Sequence, residues 1–350
     1  MGRSAWGVPA RRVGTFRRSA GLAVLLIMAL GTTLPAGVAA RTFRQPVVIV
    51  HGHSPGGSTD CDRTRALVRQ LRSVDPGHTA YRFTGEIVPV AFYGGDTRAR
   101  HDDWGDTDCR WWAHVSNHGH HARVSPSGHR RLRGVTGHTT GTSIRHLAYH
   151  LAWFIHDRYS RRGVPVDVVG QSMGGLLIRY ALAAAGAGLP HFPRRLLVDD
   201  VVTLGTPLAG HETESFTARN QQTREMDKDS AFMAWLHQHA FAPARVGRRA
   251  DWTFIGSYAD GLIPTPSTIG RRCIPDVPCE RWLTAQHYVI YDTRQTDEGP
   301  VGIGHGDYHR TTGYRPVYRA RVWRDGGWSW TDTLVPPVRL IEWALARDDW

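Results

Sequence analysis

The chain has 350 residues, 41% of them apolar, with 38 Gly and 20 Pro, the composition of a globular protein with a core and many turns. Its formal charge is +12, yet Lys228 is the single lysine and no basic run is interleaved with aromatics. The arginine surplus therefore reads as a solvated surface with some attraction for anionic surfaces, and no nucleic-acid partner is expected.

Residues 1–40 have the form of an export signal. Arg3, Arg11, Arg12, Arg17 and Arg18 make a positive leader, Leu22 to Leu30 an apolar stretch, and Val38-Ala39-Ala40 a small-residue cleavage site. Residues 19 to 40 carry no charge, so a retained membrane anchor is the alternative. Pro35 and the small residues interrupt the apolar part, which favours cleavage and a secreted protein. Four cysteines, Cys61, Cys109, Cys273 and Cys279, suit two disulfides in an oxidising compartment. Of the three pairings, Cys61 with Cys109 and Cys273 with Cys279 is preferred, the second closing a short loop with Pro275 and Pro278. None of them is spaced as CxxC, which argues against a zinc site built on cysteine.

In chain order, Pro46 to Val50 is a β-branched run stopped by His51-Gly52, as a buried strand should be. Glu86 to Tyr93 is a second strand, and residues 96–141 then lose periodicity and read as a long loop. Thr142-Ser143 caps a helix carrying Ile144, Leu147, Ala148, Leu151 and Ile155 at helical spacing, ended by Gly163. Val164 to Val169 is the next strand, followed by a helix over 174–186 with Leu176, Leu177, Tyr180, Ala181 and Ala184 on one stripe. Strands follow at Val198 to Leu204, Trp252 to Ile255 and, last, His287 to Tyr291. Residues 208–250 are polar, with a short helix from Ala231 to His237, and Pro336-Pro337 opens a closing helix through Ile341 and Leu345. The alternation predicts an α/β fold with a mostly parallel central sheet and helices on both faces, whose chemistry sits at the carboxyl ends of the strands.

Between strand 164–169 and helix 174–186 only Gly170-Gln171-Ser172-Met173 reverse the chain, so Ser172 is lifted onto a sharp turn. Gly170 and Gly174 flank it because a Cβ there would collide with the neighbouring strand or helix. A serine so placed is a nucleophile when a base takes its proton and an acid orients the base, and the partners should follow in the order Ser, Asp or Glu, His, each just beyond a strand. Asp260 follows the strand ending at Ile255-Gly256, and His305 follows the strand ending near Tyr291. Asp251 and Asp292 are the alternatives for the acid, and His309, His287 and His211 for the base.

VVIVHGH (47–53), VVGQSMGGLLIRYAL (168–182), VVTLGTPLAGHE (201–212), IGSYADGLIP (255–264) and GIGHGD (302–307) together frame most of residues 46–310. On these segments the chain resembles the α/β-hydrolase superfamily, and within it the secreted bacterial lipases and esterases. The resemblance makes 41–350 a catalytic domain of α/β-hydrolase fold, with 96–141 and 208–250 as loop or cap excursions. It implies Ser172, His305 and Asp260 as a triad, and two backbone N–H groups, of Met173 and His53, as the oxyanion hole, with Ser54 the alternative to His53. Gln171 stands where His is common before the serine, the 96–141 loop is long and His-rich, and no hydrophobic lid helix is visible. The Gly205-Thr206-Pro207 run reads as architectural.

The implied activity is hydrolysis of carboxylic esters through an acyl-enzyme, on a small-molecule or lipid ester, with transient contact to a lipid surface. Acyl transfer to another alcohol and a catalytically silent envelope-binding protein are the alternatives. No cofactor or metal is expected, because His114, His118, His120, His121, His129 and His138 read as solvated loop imidazoles. Trp104, Trp111 and Trp112 are either an apolar rim for acyl chains or simply buried. The protein is expected to be a monomer.

Overall fold

Alternate residues of the apolar runs feed opposite sides of one sheet, and each side carries its own layer of helices. Val48, Val50, Val168, Val201 and Trp252 pack in one cluster with Leu147, Leu151, Leu176 and Leu177. Val47, Ile49, Val169, Val202 and Ile255 pack in another with Leu67, Leu71, Leu340 and Ile341. Apolar residues therefore stand at consecutive positions, as in Val47 to Val50, because both faces of these strands are covered.

The computed structural model describes residues 41–55, 61–73, 81–93, 113–114, 138–212, 219–238, 250–274, 277–281, 285–292, 294–296, 299–309, 318–324 and 327–346. The chain divides into two units, Met1–Val38 and Ala39–Trp350. The expected export signal, residues 1–40, lies outside the described residues. The first elements are β1 (Arg41–Phe43), β2 (Val47–Val50), α1 (Cys61–Arg72), β3 (Tyr81–Phe83), β4 (Ile87–Ala91), β5 (Ala113–His114), α2 (Ile144–Arg158), β6 (Val166–Gln171), α3 (Met173–Gly186) and β7 (Val198–Leu204). Then come α4 (Gln221–Met226), α5 (Ala231–Leu236), β8 (Asp251–Ser257), α6 (Thr265–Thr268), β9 (Arg271–Ile274), β10 (Val277–Arg281) and β11 (His287–Tyr291). The last are β12 (Arg294–Thr296), β13 (Gly299–Val301), β14 (Tyr318–Arg324), β15 (Gly327–Leu334) and α7 (Pro337–Ala344).

Among the described residues the main sheet has nine strands in the order β5-β4-β2-β6-β7-β8-β11-β14-β15. From β5 to β11 every neighbouring pair is parallel, and β14 and β15 are added antiparallel. Helices α2 and α3 cover one face, α1 and α7 the other. The mostly parallel, doubly covered sheet is thus the architecture that the strand-helix alternation predicts. Ser143 caps α2 as expected, its hydroxyl accepting from the Arg145 N–H at 3.1 Å.

Several expectations are corrected. β11 is not the last strand: β14 and β15 follow it, and β15 carries little core signal because most of its residues face solvent. Helix α1 was not foreseen, since its charged residues dilute the Leu67, Val68 and Leu71 stripe that it buries. Helix α4 also lies unforeseen in the polar 208–250 stretch, and β5 lies within the expected 96–141 loop. The paired strands β9 and β10 carry Cys273 and Cys279, whereas Cys109 lies outside the described residues. Among the described residues no helix is long and apolar enough to cross a membrane.

Candidate active site

Strand β6 ends at Gln171 and α3 begins at Met173, so Ser172 alone makes the turn. Its φ of 53° and ψ of −128° lie where L side chains are rarely found, a strain of roughly 1–3 kcal/mol that the surroundings must hold. They do so through the Ser172 N–H, which donates to the Leu204 carbonyl of β7 at 2.8 Å, and the Ser172 carbonyl, which accepts from Gly175 N–H at 3.1 Å. The close approach of strand and helix needs glycine: a Cβ on Gly170 would stand 2.6 Å from Ile178 Cδ1, and one on Gly174 would run into the Val50 carbonyl oxygen.

The turn brings the serine to an imidazole from 133 positions further along the chain. His305 Nε2 lies 2.9 Å from Ser172 Oγ, and His305 Nδ1 lies 2.9 Å from Asp260 Oδ2. The Asp260 side chain is wholly buried, yet its oxygens are well supplied with donors. Oδ1 accepts from the Leu262 and Ile263 amides at 3.0 and 2.9 Å, and Oδ2 accepts from the Tyr308 hydroxyl at 3.0 Å. Burial, and after it the neighbouring Asp260 charge, raises the Tyr308 phenol well above its ordinary pKa, so it remains a donor. Gln171, the departure from the usual histidine, donates from Nε2 to the His305 carbonyl at 3.0 Å and so ties the His305 loop to the serine turn.

Gly205, which the sequence marks as architectural, stands directly against the Asp260-His305 pair. It has φ +52°, and a Cβ there would meet Tyr308 Cε2 at 2.7 Å, Asp260 Oδ2 at 2.8 Å and His305 Nδ1 at 3.3 Å. The carboxylate-imidazole pair rests on the space that this residue leaves empty.

The alternative residues go elsewhere. Asp251 and His287 pair with each other at 3.2 Å, at the amino ends of β8 and β11, whereas Ser172 stands past the carboxyl end of β6. Asp292 donates its N–H to the Arg319 carbonyl at 2.8 Å, and its carboxylate is 3.8 Å from Arg319 Nε. His211 hydrogen-bonds the Glu212 and Leu262 carbonyls, and His309 is buried beside a cavity of about 140 Å³ that Gln171, His51, His53 and Ser54 also line.

The loop after β2 lies directly against the serine, since a Cβ on Gly52 would be 2.8 Å from Ser172 Cβ. Met173, as the first residue of α3, has an N–H without an intrahelical acceptor. The Ser54 N–H already donates to the Tyr93 hydroxyl at 3.3 Å, which itself donates to Gln222 Oε1 at 2.7 Å. His53 Nε2 sits 3.0 Å from Asn220 Nδ2, and burial holds its imidazole below the ordinary histidine pKa. Asn220 is also the N-cap of α4, its Oδ1 accepting from Thr223 N–H at 3.1 Å. The unforeseen helix α4 thus buttresses the loop through Asn220 and Gln222. Trp104, Trp111, Trp112, His118, His120, His121 and His129 lie outside the described residues.

The serine turn stands between strand and helix near the middle of a parallel sheet, with Asp260 past β8 and His305 past β11 in chain order. This is an α/β-hydrolase fold. No protein-family model and no curated protein matches the sequence. Solved structures similar to this chain include a gene product of Listeria innocua, at 12% identity over 88% of this chain and 97% of that one, with a TM-score of 0.42. The phospholipase PlaB from Legionella pneumophila is similar at 9% identity over 87% and 58%, TM-score 0.41. Aspergillus fumigatus lipase B is similar at 15% identity over 64% of this chain, TM-score 0.35, and the match spans only 40% of that lipase. Such likeness concerns the fold alone.

Proposed function

We propose that the protein is a secreted serine hydrolase that cleaves carboxylic esters of acyl chains through an acyl-enzyme. The observation that carries this reading is the continuous file from Ser172 Oγ through His305 to Asp260, with both contacts at 2.9 Å and the serine on a strained turn. In this reading His305 Nε2 takes the hydroxyl proton as Ser172 Oγ bonds the ester carbonyl carbon. The carbonyl oxygen becomes an oxyanion and accepts from the Met173 and His53 amides, the former at a helix N-terminus that favours negative charge.

As the tetrahedral species collapses, the C–O bond to the alcohol breaks and His305 returns the proton to the departing oxygen. Water then repeats the sequence on the acyl-serine, releasing the acid and the free hydroxyl. Asp260 keeps the proton on His305 Nδ1, which leaves Nε2 to act as base. The His53 imidazole, neutral and held by Asn220, serves to fix the loop whose amide does the work. Tyr258, 45% exposed two residues before Asp260, offers an aromatic contact for a lipid surface beside the site.

Turnover of p-nitrophenyl esters from acetate to palmitate tests the reading. Activity that vanishes across the whole series in Ser172→Ala supports it, and an inactive native protein contradicts it. A competing alcohol added to the assay separates transfer from hydrolysis by the ester product it yields.

A further inference from the structure

Away from the serine, three imidazoles converge where the 96–141 stretch rejoins the sheet. His146 and His150 stand one helical turn apart on the same face of α2, and both are buried. His138 is carried to them from the loop. Its N–H donates to the Phe92 carbonyl at 2.9 Å, and it forms a parallel bridge with Tyr93, just past the end of β4. His146 Nε2 and His150 Nε2 are 3.1 Å apart, and one ring nitrogen from each of the three residues lies within 4.8 Å of the others. Ring centroids are 4.8 Å apart for His138 and His146, 5.0 Å for His138 and His150, and 4.6 Å for His146 and His150.

We infer that these residues form a zinc site with three histidine ligands. Imidazole nitrogens bound at 2.0–2.1 Å to a tetrahedral zinc sit about 3.3 Å from one another. The two helix histidines already hold nearly that separation, and a His138 ring nitrogen lies within 4.8 Å of both. Neutral imidazoles are the ligands this metal takes. Three protein nitrogens leave one tetrahedral position for water or another donor.

The position suits a staple. Just past His138, the Thr139 carbonyl accepts from Gln222 Nε2 at 3.2 Å, and Gln222 in turn receives the Tyr93 hydroxyl that braces the Ser54 amide. Zinc would therefore pin the end of a long excursion to α2 and, through Gln222 and Tyr93, stiffen the loop beside the serine. This inference stands whether or not the protein is an esterase.

The test uses untagged mature protein, stripped with chelator, incubated with zinc chloride and desalted. About one equivalent of zinc per chain by elemental analysis, a raised melting temperature, and a more than roughly 100-fold weaker zinc affinity in His138→Ala and His150→Ala are expected. Substituting cobalt should give the intense visible bands of a four-coordinate, nitrogen-ligated ion, which decides the matter should a variant fail to fold. A folded native chain that retains no zinc and shows no such bands overturns the site, as does undiminished zinc in both variants.

Discussion

Gly205 offers a way to disturb the Asp260-His305 pair without touching either residue. An alanine Cβ at this position would stand 2.7 Å from Tyr308 Cε2, 2.8 Å from Asp260 Oδ2 and 3.3 Å from His305 Nδ1. Ordinary contact at these atoms needs a separation of about 3.5 Å or more, so each must retreat by several tenths of an ångström. Asp260 has little freedom to do so, because the Leu262 and Ile263 amides hold its other oxygen. His305 is the group that gives way, and misplacement of a reacting group on the order of 1 Å can cost about 100-fold. The backbone at φ +52° adds about 1–2 kcal/mol of strain for any residue with a Cβ.

Gly163→Ala supplies the control. That residue has φ +74° with nothing within 4 Å of an added Cβ, so it carries the strain without the collision. Both variants should melt a few degrees lower than the native protein. Only Gly205→Ala should lose kcat/KM for p-nitrophenyl butyrate, by about 10- to 100-fold. Retention of activity within 2-fold in Gly205→Ala, or an equal loss in Gly163→Ala, would show that the space at Gly205 does not position the Asp260-His305 pair.

Tyr308→Phe removes one donor from the buried carboxylate and should cost about 1.5–3 kcal/mol of stability with a several-fold drop in kcat; an unchanged melting temperature and rate would show the hydroxyl to be idle. Asn220→Ala removes both a helix cap and the partner of His53, so kcat should fall along with about 1 kcal/mol of stability; a stability loss alone would separate α4 from the chemistry. Asp167, at the start of β6, has its carboxyl pushed up to about 7, chiefly by burial and further by the charge of Asp199. The folded protein therefore binds more protons than the unfolded chain between about pH 4 and pH 7, and this residue's contribution to stability is lost as pH rises through that window. Asp167→Asn keeps an acceptor for Gln45 and the Asp200 N–H, so the variant's advantage in unfolding free energy, measured by denaturant titration, should grow from pH 5 to pH 8, reaching on the order of 2–4 kcal/mol. Parallel pH profiles for the two proteins would contradict this.

The features legible in the sequence share one property: their signal is local. The turn at Ser172 lies between an apolar strand and an amphipathic helix within 17 consecutive residues, VDVVGQSMGGLLIRYAL, and the structure places it between β6 and α3. The meeting of Asp260 and His305 with Ser172 follows from chain order and strand ends, which restrict where such side chains can stand. What could not be read depends on distant contact or on masking of the pattern. Gln222 meets Tyr93 across 129 positions and Asn220 meets His53 across 167, and no spacing rule links them. Strand β15 escaped because its solvent-facing side chains, with Trp330 49% exposed beneath Arg319, leave no apolar alternation. His146 and His150 did carry an i, i+4 signal on a helix, but only the fold brings His138 beside them.

In the proposed reaction Ser172 is a nucleophile made reactive by His305. Incubation of the native protein with a fluorophosphonate, followed by mass spectrometry of the digest, tests it most directly. One label per chain is expected on the peptide carrying Ser172, absent in Ser172→Ala and formed at least about 100-fold more slowly in His305→Ala. A folded native protein that takes up no label, or a label that persists in Ser172→Ala, would contradict it.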